Sequence, residues 1–176
     1  AGGPTGYEPR GHFAKPDFSL LWTDGLTEYS RAILGKFIEK KYSLGVIRRA
    51  WELVPSQIAV DALDAALTEH GSSFREAFLQ WTIWNAKTGP DADTIAHYSE
   101  GREYPRVSSH PVVDYVSPGR SISGVIGTTS AAYYPVSVRN TGMSVIVANL
   151  LTAGKPTTVP FRYDMADAGD VSFKQL

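Results

Sequence analysis

The chain is predicted to be α+β, an N-terminal antiparallel helical subdomain followed by a C-terminal antiparallel β-sandwich-like module. Three observations predict this. Up to about residue 103 apolar residues recur at three- and four-residue steps. From about residue 104 the period falls to two, with turn signals roughly every ten residues. Between residues 56 and 85, two amphipathic segments separated by Gly71 have the form of a tight helical hairpin.

Taken in order, residues 1–16 are rich in glycine and proline and are predicted as a flexible arm. The helical subdomain is assigned to residues 17–103. Its first helix is expected over about residues 24–42, burying Leu26, Tyr29, Ile33 and Phe37, with Lys40 and Lys41 suited to the negative end of the helix dipole. Ser43-Leu44-Gly45 breaks it. A shorter helix over about residues 45–54 is expected to bury Ile47, Ala50, Trp51 and Val54 before Pro55 ends it. Ser56 is the expected N-cap of the next helix, whose stripe is Ile58, Ala62, Leu63, Ala66 and Leu67. Gly71 suits a left-handed stop, and Ser73 with Glu76 has capping-box spacing. The helix that follows places Phe74, Ala77, Phe78, Trp81 and Trp84 on one face. Trp51, Phe74, Phe78, Trp81 and Trp84 are therefore the predicted aromatic core. Gly89-Pro90 stops this helix, and residues 92–101 read as a last short helical piece.

The β module is assigned to residues 104–176. Strands are expected at 111–116, 121–126, 131–138, 143–151, 157–163 and 171–174. Five or six strands is few for a sandwich, which leaves room for a strand from a partner chain. Strand alternation puts Tyr133 and Tyr134 on opposite faces, so one ring is expected at the surface, a candidate binding surface.

Composition excludes several function classes. With 43% apolar and 20% charged residues and a net charge of −1, the chain has no electrostatic footprint for nucleic acid. The interrupted basic run Lys40, Lys41, Arg48 and Arg49 reads as solvated helix ends. No apolar run reaches the ~18 residues of a membrane-spanning helix, so no membrane insertion is expected. The absence of cysteine removes disulfides, thiolate metal sites and a cysteine nucleophile. None of His12, His70, His97 and His110 has the H-E-x-x-H or H-x-x-x-H spacing of a zinc helix. His70, at a helix C-terminus, reads as a cap, and His97 with Glu100 and Glu103 as a solvated cluster. There is no G-x-S-x-G elbow and no phosphate-cradling loop.

The segment Trp22-Thr23-Asp24-Gly25-Leu26-Thr27-Glu28-Tyr29 resembles the W-x-E-G-x-A-E-Y stretch of gluzincin peptidases, whose glutamate before glycine is the third zinc ligand. That resemblance makes Asp24 a candidate metal ligand; as a local reading, Asp24 is instead a helix N-cap. A wider resemblance spans roughly residues 17–150. The stretches YSRAILGKFIEKKYSLGVIRRAWELV, AVDALDAALTEHGSSFREAFLQWTIWNAKTG and YSEGREYPRV, followed by Ile126-Gly127-Thr128-Thr129-Ser130-Ala131-Ala132-Tyr133-Tyr134, carry it. They are similar to the region after the catalytic helix in a myxobacterial-type family of bacterial secreted zinc metallopeptidases. The chain departs from that family in lacking the H-E-x-x-H helix.

The resemblance implies an exported, non-catalytic portion of a metallopeptidase-like protein, supporting the zinc site and substrate cleft of a longer chain. Any zinc would then belong to that parent, with no cofactor held within these residues. The alternative is a stand-alone extracellular binding or self-assembly module whose partner is a protein or peptide, including a second copy.

Overall fold

Where the sequence changes period, the structure changes from helix to sheet. The computed structural model describes residues 10–23, 27–114, 121–138, 141–149 and 158–164. Five helices come first: α1 (Arg10–Ala14), α2 (Ala32–Lys41), α3 (Leu44–Leu53), α4 (Ala59–Thr68) and α5 (Phe74–Asn85), with a 3-10 turn at Thr27–Arg31 leading into α2. Five strands follow: β1 (Val113–Asp114), β2 (Ser121–Gly127), β3 (Ser130–Val138), β4 (Thr141–Asn149) and β5 (Thr158–Asp164). The expected strand at 171–174 lies outside the described residues.

The central hairpin forms as its sequence directs. Gly71 has φ +75, and α4 ends in the two bonds of a Schellman stop, Gly71 N–H to Thr68 O at 3.0 Å and Ser72 N–H to Leu67 O at 3.1 Å. Ser73 Oγ then accepts the Glu76 N–H at 3.2 Å, capping α5. Asp64 adds a tie from α4, accepting the Phe74 N–H at 2.6 Å. Phe74, Ala77, Phe78, Trp81 and Trp84 are all buried, as the stripe predicts. They join Phe13, Ile33, Phe37, Ile38, Val46, Ala66, Leu67 and Tyr98 in one core. The Trp84 ring meets Phe37 and Tyr98 edge-on, 5.0 and 5.2 Å between centroids.

Tyr29 and Ile58, expected in buried stripes, are 52% and 63% exposed, and three further local expectations are corrected. Ser56 does not cap α4. Its hydroxyl donates to Leu53 O at 3.1 Å and helps close α3, and α4 starts after Ile58 without a side-chain cap. Residues 92–101 make turns rather than a helix. Asp93 Oδ1 accepts the N–H groups of Ala96 and Ile95 as an N-cap would, which holds its carboxyl below the usual range, but a single turn follows, closed by His97 N–H on Asp93 O. The arm assigned to residues 1–16 is anchored from α1 onward, because Phe13 is fully buried and its carbonyl accepts the Ser108 N–H.

A fourth correction concerns Trp51, which is 71% exposed. Of the expected stripe Ile47, Ala50, Trp51 and Val54, only Ile47 and Ala50 pack on the core, beside Val46. Val46 is fully buried, while Trp51 and Val54 turn toward solvent. Helix α3 packs on α4, whose buried residues include Ala62 and Ala66. Ala50 of α3 and the alanines of α4 allow close approach, and an indole in that seam would force the helices apart.

Strands β1, β3 and β4 form one sheet, and β2 pairs with β5 in a second. The β3–β4 and β2–β5 ladders are antiparallel as expected, but β1 joins β3 in parallel, Val113 opposite Val136. Strands β2 and β3 are separated only by Thr128 and Thr129 and do not pair with each other. Thr129, at φ +47, carries the chain from one sheet to the other. This corner is held by the N-terminal segment through Leu20 N–H to Thr129 O, Ala131 N–H to Pro16 O and the Ser19–Thr129 hydroxyl contact.

Candidate functional site

Tyr133 and Tyr134, expected to leave one ring in solvent, are 3% and 7% exposed. Alternation does send them to opposite faces, but both faces are covered. Tyr133 points toward the helices and donates its hydroxyl to Thr82 O on α5 at 3.0 Å. Tyr134 is stacked flat against His110, 4.2 Å between centroids, where the segment before β1 runs alongside β3 with His110 N–H on Tyr133 O. Neither ring is a ligand platform. Asp24 lies outside the described residues. Among the described residues no group of three or more His, Cys, Asp or Glu side chains is arranged to hold a metal ion.

What the fold does bring together is a polar cluster that local sequence patterns missed. Helix α1 inserts His12 between Arg31, Asn85 and the face of Trp81, the two rings stacking at 4.5 Å. Arg31 approaches His12 Nδ1 at 2.8 Å, and the Asn85 amide meets Nε2 at 3.1 Å and the Tyr98 hydroxyl at 2.8 Å. A guanidinium only donates, so Nδ1 is the acceptor and the neutral ring carries its proton on Nε2. That proton needs an oxygen. The amide orientation that satisfies both neighbours turns the Asn85 carbonyl to His12 and its NH2 to Tyr98. Burial and the adjacent Arg31 charge lower the His12 pKa to about 3. Burial likewise pushes the Tyr98 and Tyr133 phenols up. The cluster is therefore neutral apart from Arg31, and His12 and Asn85 are shut off from solvent. Its chemistry is to satisfy buried polar groups where α1, the 3-10 turn and α5 meet.

An open groove of about 410 Å³ lies where α2 and α4 end beside α5, lined by Lys41, Tyr42, His70, Ser72, Glu76 and Ile83 among others. Tyr42 and Ser72 share a hydroxyl contact at 3.0 Å, and Ser72 Oγ donates to Glu76. His70 Nδ1 sits 2.9 Å from Ala66 O, the helix-end role its position predicts.

The surface feature that stands out is apolar. Leu44 and Trp51, seven residues apart, lie on the outward side of α3 at 63% and 71% exposure. Val54 continues the line at the end of the helix, and Ile58, at 63%, extends it to the α3–α4 corner. Arg48 lies between Leu44 and Trp51 on the same face, 3.8 Å from Glu52. Beside them Arg49 grips Glu69, just past the end of α4, through three hydrogen bonds of 3.0 Å. The ridge thus combines large exposed side chains with a rim of oriented charge.

No protein-family model matches the chain, and the searches of curated proteins and solved structures return no significant match. None of these comparisons bears on the expected likeness to the metallopeptidase family. The stretches expected to carry it include Trp81 to Asn85 and Tyr133–Tyr134, where α5 meets β3.

Proposed function

We propose that this chain works as a protein-binding module whose docking face is the outward ridge of α3. The carrying observation is the row Leu44, Trp51, Val54 and Ile58, left in water beside a well-filled core. Scattered exposed apolar residues are ordinary, but a tryptophan and a leucine on one helical line, with isoleucine at its end, are the composition of an interface centre. We also read the two sheets as halves of an antiparallel β-sandwich-like module. The corner at Thr128–Thr129 supports this, and nuclear Overhauser contacts from Ile126 to β3 or β4 side chains test it.

A photo-cross-linking residue in place of Trp51 tests the binding reading, with the same residue in place of the exposed Ile95 as control. The expected result is an adduct from position 51 alone. Its partner, once identified and purified, should bind wild-type protein and lose affinity for Trp51→Lys. Equal labelling from both positions would sink the reading.

A second reading follows from the motif likeness. In it the chain is a supporting part of an exported zinc metallopeptidase, buttressing a zinc site and substrate cleft formed by other residues of a longer parent. The stretches that carry the resemblance run through α2 to α5 and the β2–β3 corner, which supports a likeness of framework. Intact mass and elemental analysis of the protein from its native source test it. One zinc on a larger polypeptide favours the reading, and a polypeptide of this length without stoichiometric zinc goes against it.

A further inference from the structure

We propose that the α3 ridge is covered by a second copy of this chain, the two α3 helices lying antiparallel across a two-fold axis. This rests on the binding reading above and adds the partner. The outermost line of α3 is Leu44, Arg48, Trp51 and Glu52, with Pro55 just beyond the helix, on the side opposite Val46, Ala50 and Leu53. Charge decides the orientation. A two-fold axis perpendicular to the helix near residue 50 sets Arg48 of each copy against Glu52 of the other. The same operation brings each Arg48 guanidinium over the indole of the second copy's Trp51, a cation–π arrangement, and each Leu44 toward Val54 and Pro55. Parallel pairing would instead oppose Arg48 to Arg48 and Glu52 to Glu52, like charge to like. The face is complementary to itself in the antiparallel orientation.

Area sets the strength. The ridge is one face of a ten-residue helix, small against the roughly 800 Å² per partner of a stable complex. The dimer is therefore weak and reversible, with a dissociation constant in the micromolar range.

Sedimentation velocity on the intact chain, from low to high micromolar concentration, tests this. Wild-type protein should pass from monomer to dimer, and Trp51→Glu should stay monomeric with an unchanged circular dichroism spectrum and Tm. Arg48→Glu and Glu52→Arg should each weaken association about tenfold, since each opposes like charges across the axis. Mixing these two variants should restore association as a heterodimer, a result that misfolding cannot imitate. Orientation is read by oxidation, because the chain has no cysteine of its own. Arg48→Cys and Glu52→Cys chains should join to each other when mixed, whereas parallel pairing would join each variant to itself. A wild-type chain that stays monomeric overturns the proposal, as does a dimer indifferent to these substitutions. Monomeric sedimentation with a position-51 adduct to a different protein overturns self-pairing alone. Absence of both overturns the binding reading as well.

Discussion

His12 carries a testable consequence for how this protein responds to acid. Its folded-state pKa, lowered to about 3, lies well below the ordinary 6.5. Above 6.5 the ring is neutral in both folded and unfolded chains and adds no pH dependence. Below 6.5 the unfolded chain takes up a proton that the folded one refuses, so stability falls by up to about 1.4 kcal/mol per pH unit toward pH 3. Urea denaturation at about pH 7 and about pH 5 should show this loss, and His12→Gln should reduce it. An unchanged pH dependence in the variant would mean that His12 titrates normally. Two glycines make a matched pair at the same scale. Neither Gly35 nor Gly71 has a heavy atom within 4 Å of where a Cβ would stand. Gly35 is inside α2, so Gly35→Ala should stabilise by about 0.5–1 kcal/mol. Gly71 sits at φ +75, so Gly71→Ala should cost about 1 kcal/mol through backbone strain alone. Thermal denaturation of the two variants checks both signs.

Helices α3 and α5 show how the same residue type is used in opposite ways. Trp81 is 1% exposed, stacked on His12 and tilted against Phe78 at 5.5 Å. Trp81→Ala should cost about 3–5 kcal/mol, the range for emptying a large aromatic site. Trp51 contributes little to its own monomer, and Trp51→Ala should change stability by less than about 0.5 kcal/mol in dilute solution. Urea melts at low protein concentration measure both. A large loss at Trp51 would show that its ring packs within the chain rather than serving a partner.

The whole molecule is bound across the change of period by Tyr133 to Thr82, Ser108 to Phe13 and Ala131 to Pro16. Partly buried Tyr104, Val107 and Ala148 also pack on the helical core. Helices and sheet should therefore unfold together, with coincident transitions in far-ultraviolet dichroism and aromatic signal. Two separated transitions would mean that the seam is too weak to couple them. Tyr133→Phe should lower stability by about 1 kcal/mol without dividing the transition, because Thr82 O still receives the Ala86 N–H.

Most element positions could be read in advance because periodicity and turn chemistry are local. Phe74 to Trp84 repeat on one face, Gly71 and Ser73 mark a stop and a start, and four of the expected strands overlap β2 to β5. Local pattern also exposed its own limit on α3, where Trp51 shares an expected stripe with Ile47 and Ala50, which pack on the core, yet itself faces solvent. The covering of Tyr133 and Tyr134 was equally illegible, since alternation assigns a side chain to a face but not what lies opposite it. The same holds for His12, whose partners Arg31 and Asn85 are 19 and 73 residues away. Backbone conformation follows from neighbours along the chain, whereas burial, pKa and the exposed ridge follow from neighbours across it. Those cross-chain neighbours exist only once the helices and strands have packed.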